Sequence, residues 1–440
     1  MTVSPRVTIR ARWVFPVEGE PIPEGVVTYD RERGRLLRVG PYRGEILDRD
    51  LGNAAIVPGF VNAHTHLELN RLQGEPLEMP DPDRDATGST VAVVPENEVA
   101  WLKRVVGQRI GVGLEELARR AAENLQKALR AGTTLLADIT TAGASWPAIS
   151  AAPVGGVVFS EVLGLKRQRG LETNERAWDW LRTVTPQQQV ISRCRVGLSP
   201  HAPYSTAGWL YQRAAGCGLP LTTHLAEMPE ERMLLESGQG PLREFLEELG
   251  AWDDEWEPIG PRPTDYIRRD ELKQTDWLVA HGNDLRPDEL WQFRPDAAPP
   301  GKRVALVYCP RTHARFGHPP HPFLELLHQG AIVCLGTDSL ASAPTLSVLD
   351  EARFLRRRDP RLSGRLLLTM STLFGAWALR AETITGSLRP GKSADLAVVS
   401  LPERDADDPH DLLFDSDRPV LATMFAGRWL DEPDAADSSV

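Results

Sequence analysis

Eight short apolar runs, each followed by a stretch of different periodicity, constrain this chain more than any other feature. They are Ile56–His66, Thr133–Ile139, Val154–Leu163, Cys194–Pro200, Leu219–His224, Trp277–His281, Val304–Cys309 and Ala331–Asp338. Continuous apolar runs of this length suit strands buried on both faces. The segments between them carry helical spacing, most clearly over Leu114–Arg130, where Leu114, Leu117, Ala118, Ala121, Leu125, Ala128 and Leu129 share one face. Parallel strands need a crossover between them, so eight strands with interleaved helices predict an α/β chain folded as a (β/α)8 TIM barrel.

The two chain ends do not extend that barrel. Residues 1–57 are rich in Val, Ile and Arg, with turn signals at Glu18-Gly-Glu-Pro-Ile-Pro and Arg33-Gly. After the eighth run, Leu366–Leu379 reads as a helix and residues 385–400 return to strand and turn chemistry. We therefore expect residues 1–57 and 386–440 to form a small β-sandwich domain, and 58–385 to form the catalytic barrel. Two long segments, roughly 70–112 and 228–275, follow the first and fifth strands, and loops of that size usually act as lids or substrate walls.

Composition excludes some function classes. With 50 basic against 61 acidic side chains the net charge is −11, so the chain lacks the basic face that nucleic acid would require. The N-terminus has no apolar signal-peptide core, and no run approaches ~18 apolar residues, so neither a membrane span nor export is expected and the expected location is cytoplasmic. Cys194, Cys217, Cys309 and Cys334 show no CxxC spacing and read as reduced core residues. Gly111-Val-Gly113 lacks the third glycine and preceding strand of a dinucleotide turn, and there is no GxSxG elbow or Walker loop.

The chemistry lies at the strand ends. His64 and His66 are two apart, so on a strand both project to one face at the barrel mouth. His224 closes the fifth run with Glu227 three residues on, His281 closes the sixth, and Asp338 closes the eighth. Singly, each is a satisfied core histidine or a capping acid; four histidines and two acids together at the mouth of a barrel are not. Three imidazoles and a carboxylate suit Zn²⁺ with room for a water whose pKa falls to about 7. His64, His66, His224 and Asp338 are the expected ligands of one Zn²⁺, with Fe²⁺ compatible by ligand type. His281 would hydrogen-bond the attacking oxygen, Asp338 would take its proton, and Glu227 would pass a proton to a ring nitrogen and on to a leaving amine.

The ordered motifs ProGlyPheValAsnAlaHisThrHis (58–66), SerProHisAlaProTyrSer (199–205), HisLeuAlaGlu, AlaHisGly and LeuGlyThrAspSer resemble the amidohydrolase superfamily. The likeness spans nearly the whole chain. It is closest to the mononuclear-metal branch of S-adenosylhomocysteine, adenosine and aminodeoxyfutalosine deaminases and the triazine hydrolases. The resemblance implies the same ligands and proton-transfer residues, and it implies that His201 contacts substrate. No lysine stands on the central strands to carry the carboxylate bridge of dinuclear relatives, which implies a single metal.

HisThrHisLeuGlu (64–68), PheSerGluValLeuGly (159–164) and TyrCysProArgThrHis (308–313) resemble the aminodeoxyfutalosine deaminase-like members most. They imply a small-molecule aminopurine nucleoside substrate, on the route to menaquinone. Thr312 and His313 depart from the Ser and Asn usual in the family. Glu68 and Glu161 are expected either to hold ribose hydroxyls or a ring edge, or to pair with a loop arginine; Arg311 either meets a substrate carboxylate or forms an internal salt bridge. His313, His318 and His321 read as loop lining rather than a second metal site. The alternatives are an amidohydrolase acting on another aromatic C–N or C–halogen bond, and a non-catalytic binding scaffold. The resemblance is compatible with a homodimer.

Overall fold

The computed structural model describes residues 5–73, 97–268 and 275–431. The N-terminal strands are β1 (Arg6–Val14), β2 (Ile22–Asp30), β3 (Arg35–Pro41), β4 (Arg49–Asp50) and β5 (Ala54–Pro58). Eight strands follow: β6 (Phe60–Thr65), β7 (Thr133–Thr140), β8 (Gly155–Val162), β9 (Cys194–Pro200), β10 (Leu221–Leu225), β11 (Trp277–His281), β12 (Val304–Tyr308) and β13 (Ile332–Leu335). The last three are β14 (Leu396–Ser400), β15 (Val420–Phe425) and β16 (Arg428–Trp429).

Strands β6 to β13 pair in chain order, all parallel. The ring closes where the segment after β13 meets β6, through a parallel bridge between Thr65 and Asp338 and a 3.0 Å bond from Asp338 N–H to the His64 carbonyl. Alternation along the strands separates two cores. Val61, Ala63, Leu135, Ala137, Val157, Phe159, Leu278, Ala305 and Val307 belong to one cluster, while Phe60, Leu136, Val158, Val279, Val304 and Leu306 belong to another that includes the helices. The helix Leu114–Arg130 forms as the spacing predicts, burying Leu117, Ala121, Leu125, Ala128 and Leu129.

The terminal strands form one continuous mixed sheet in the order β16-β15-β14-β5-β1-β2-β3, with β4 beside β1. The expected small domain from both chain ends is built on one continuous sheet, because β5 joins the ends by pairing parallel to β1 and antiparallel to β14, and Val27, Tyr29 and Leu36 share a core with Leu396, Ala422 and Met424. The first apolar run also divides: Ile56–Pro58 stay in this sheet and the barrel starts at Phe60. The crossing is made at Gly59, where a Cβ would lie 2.1 Å from Thr134 Oγ1.

The helix expected over Leu366–Leu379 is two, Gly364–Ser371 and Leu373–Ala378, broken at Thr372 with φ −138° and ψ −82°. Ser371 and Thr372 hydroxyls donate to the carbonyls of Leu367 and Leu368, drawing those acceptors away from the helical ladder. No described helix is long and apolar enough to cross a membrane.

Candidate metal centre and active site

Three imidazoles meet at the C-terminal mouth of the barrel. The ring nitrogens of His64, His66 and His224 lie within 4.8 Å of one another, and among the described residues this is the one group of three or more such donors. His66 Nε2 and His224 Nε2 are 3.0 Å apart, and His64 Nε2 is buried with no hydrogen-bond partner. The His224 ring donates from Nδ1 to the His201 carbonyl at 2.9 Å, which leaves its Nε2 lone pair facing the cluster. Burial pushes all three imidazoles below their usual range, His224 to about 4, so each offers a neutral donor. An orphaned buried nitrogen and converging neutral lone pairs are what a divalent cation of the Zn²⁺ kind needs.

Asp338 stands at the edge of the triad, its Oδ1 3.8 Å from His64 Nε2 and 4.0 Å from His66 Nε2. Its Oδ2 accepts from the Ser342 hydroxyl at 2.7 Å and from Thr312 at 3.4 Å, which turns Oδ1 toward the histidines. Burial raises this carboxyl to about 6. Thr312 therefore supports Asp338 in place of the expected Ser. On the opposite side Glu227 Oε1 lies 3.2 Å from His281 Nε2. Burial, then the neighbouring Glu98 and Asp338, push the Glu227 carboxyl well above its usual range, which favours its protonated form.

Backbone geometry decides where these side chains point. Trp277 and Val279 pack in the outer cluster and Leu278 in the inner one, so simple alternation would send His281 outward. Its φ of +72° turns the strand end, and its ring instead stacks on His224 at 5.4 Å between centroids. Asp338 has φ +56° for the same reason. A supporting residue that pattern reading missed is Asp138: its Oδ1 accepts from Thr65 Oγ1 and from Leu67 N–H at 2.9 Å each, clamping the turn that carries His66. Its position at the end of β7 was the available signal.

The remaining residues divide. His201 sits beside the triad, 4.8 Å from the His224 ring, with Nδ1 2.5 Å from Ser205 Oγ. Glu68 accepts from Thr141 N–H at 2.9 Å and pairs with Arg109 at 2.7 Å, and Glu161 lies 3.7 Å from the same guanidinium. Of the two readings of these acids, the loop-arginine pair is the one observed; Arg109 ends the helix Glu98–Arg109 in the first long segment, whose residues 74–96 lie outside the described ones.

Arg311 is a correction. It is 7% exposed, its Nε donates to Glu351 Oε1 at 2.6 Å, and its other donors go to Thr345 and the Ser347 carbonyl. With every nitrogen engaged in the scaffold, none is left for a substrate carboxylate. Arg311→Ala should cost about 3–5 kcal/mol by leaving Glu351 buried without its partner. Denaturant unfolding measures that loss, and KM should not change. His313 and His321 donate to the Pro319 and His281 carbonyls, and His318 lies 3.0 Å from Glu98.

Glu231, fully buried behind the site, accepts from the Glu227 N–H at 3.0 Å, and burial pushes its carboxyl from 4.5 up to about 8. A raised native pKa means the folded state holds the proton more tightly than the unfolded chain. Its contribution is complete below about pH 4.5 and is lost as pH climbs through 8. Tm should therefore fall between these values in the native protein and fall less in Glu231→Gln, as a pH series of thermal melts would record.

Comparison with known proteins bears on this arrangement. Residues 55–430 match the amidohydrolase family. The chain is 27% identical over 389 residues to a 5-methylthioadenosine/S-adenosylhomocysteine deaminase of Nitratidesulfovibrio vulgaris, covering 84% of this chain and 78% of that protein. It is 27% identical over 370 residues to the aminodeoxyfutalosine deaminase of Deinococcus radiodurans, covering 79% and 78%. Among solved structures, Helicobacter pylori aminofutalosine deaminase superposes with a TM-score of 0.77 at 20% identity, over 97% of this chain and 100% of that one. The zinc complex of an atrazine chlorohydrolase from Arthrobacter aurescens gives 0.73 at 20%, over 98% and 97%. At such identities these two likenesses speak for the fold.

Proposed function

This chain belongs to the amidohydrolase family, and from that premise we propose that it is a hydrolytic deaminase of an aminopurine nucleoside, with aminodeoxyfutalosine as the assigned substrate and menaquinone biosynthesis as the assigned route. The observation that carries the reading is the juxtaposition at one barrel mouth of the His64–His66–His224 triad with the Glu227–His281 pair at 3.2 Å. A binding scaffold has no chemical need for a buried carboxyl held against an imidazole beside the triad. Relatives that deaminate adenine-type nucleosides support the substrate class.

His64, His66, His224 and Asp338 would hold one Zn²⁺, which when bound lowers the pKa of water toward 7. Asp338, with Oδ2 tied to Ser342, keeps Oδ1 free to accept the proton that the attacking water gives up. Glu227 supplies its proton to a ring nitrogen as the oxygen adds to the amine-bearing carbon. The Glu227 carboxylate then takes the remaining hydroxyl proton of the adduct to the departing amine, and the proton held by Asp338 restores Glu227, so one water is consumed and one ammonia released. His281, held by its turned backbone, fixes the Glu227 carboxyl and donates toward the attacking oxygen. His201 faces the substrate from beside the triad, and Glu68 and Glu161 border it through Arg109.

Ammonia release by the zinc-reconstituted protein, from a panel of aminodeoxyfutalosine, methylthioadenosine, S-adenosylhomocysteine, adenosine, guanine and cytosine, tests the proposal. Highest kcat/KM on aminodeoxyfutalosine is expected. Preference for another aminopurine keeps the reaction and replaces the substrate. Silence on every amine, with chloride released from a chlorotriazine, would replace the reaction.

A further inference from the structure

A cavity with a largely apolar wall crossed by arginines lies at the opposite end of the barrel. It encloses about 380 Å³ between the small sheet and the N-terminal ends of β7, β8 and β9. Gly155 lines it, whereas Glu161 on the same strand reaches the histidine site, a separation of roughly 20 Å along six strand residues. Arg35, Arg193, Arg195 and Arg380 all contribute to its wall, in a protein whose net charge is −11.

Three of these cations make no direct ion pair among the described residues, although Asp276 acts on Arg195 and Asp395 on Arg193 through their charge. Arg35 donates to the Gly391 carbonyl, Arg195 to the Leu379 carbonyl, and Arg193 to Ser393 Oγ at 3.0 Å while lying over the Phe425 ring. Arg380 is bound to Asp276, the nearest acid to Arg195, and so takes up that charge. Asp395 lines the wall too; its Oδ1 accepts from Ser393 and the Ala426 N–H, and burial raises its pKa while those bonds and the Arg193 charge oppose the rise. Burial pulls the Arg195 guanidinium below its usual value, with Asp276 opposing that shift and the adjacent Arg380 adding to it.

Backbone strain is an independent observation. Nine non-glycine residues have positive φ among those described, and the two arginines in that set, Arg193 at +56° and Arg380 at +50°, both line this cavity. His281 and Asp338 at the catalytic mouth share the same conformation. Arg193 is the left-handed C-cap of the helix Pro186–Ser192 and Arg380 follows the helix Leu373–Ala378, so helix ends bring both side chains to this wall.

We propose that this cavity is a second binding site, built for a phosphoryl group whose oxygens are met by Arg35, Arg193 and Arg195. Guanidinium forks match phosphate oxygens in pairs. Val190, Ile384 and Phe425 give the remaining wall an apolar character suited to the carbon body of a phosphomonoester. Because the wall is drawn from both sheets, an occupant ties the terminal sheet to the barrel floor.

Thermal melts and calorimetry of the full chain test this at fixed ionic strength, with inorganic phosphate, phenyl phosphate or chloride, on zinc-loaded and metal-free protein. A saturable rise in Tm is expected with both phosphates, with and without metal, and not with chloride. Tighter binding of phenyl phosphate identifies a phosphomonoester as the occupant, and equal or weaker binding identifies the free ion. Arg195→Met should weaken phosphate binding about tenfold or more. Arg193→Gly should do the same while melting no lower than the parent in chloride, because it relieves the left-handed strain; a purely structural arginine would lower that melt and leave the phosphate response intact. Equal melts in phosphate and chloride, a response confined to the zinc-loaded protein, or a response surviving both substitutions would overturn the proposal.

Discussion

Glu227→Gln should lower kcat by roughly 10²–10⁴-fold while the protein keeps its metal. The amide preserves the shape of the side chain and its 3.2 Å approach to His281, but it has no proton to exchange. Burial, then the neighbouring Glu98 and Asp338, shift the Glu227 carboxyl upward, which favours the protonated form this role requires. Elemental analysis should find the metal content of the native protein, and KM should move far less than kcat. A variant with unchanged kcat would refute the proton-transfer role assigned to this residue.

His66→Ala should weaken Zn²⁺ binding by more than about 100-fold, exceeding the loss typical of outer-shell changes, and deaminase activity should vanish at stoichiometric metal. His66 Nε2 stands 3.0 Å from His224 Nε2, so its removal leaves two imidazoles and a carboxylate that sits at the edge of the group. Chelator competition measures the affinity and far-UV circular dichroism checks the fold, which Asp138 should preserve through its bonds to Thr65 and Leu67. Native affinity in this variant would show that the donor set lies elsewhere.

Much of the barrel was legible because its physics is local. Apolar runs separated by amphipathic helices such as Leu114–Arg130 report a period that any window of the chain contains. The strand-end placement of His64, His66, His224, His281 and Asp338 was legible for the same reason. Arg311 and the acids Glu68 and Glu161 were not, since whether a charged side chain meets a ligand or a neighbour depends on residues far away in sequence. Arg311 is joined to Glu351 and Thr345, and Glu68 to Arg109 and Thr141.

The division follows from what each interaction needs. Periodicity and the His–X–His spacing require only neighbours along the chain, so the sequence alone determined a barrel, its parallel strands and the donors at its mouth. The single terminal sheet required β5 to lie between β1 and β14, a pairing across more than 300 residues that no local pattern encodes. The left-handed turns at His281 and Asp338 were likewise decided only by tertiary structure, because packing from distant elements is what holds a backbone in a conformation its own residue disfavours.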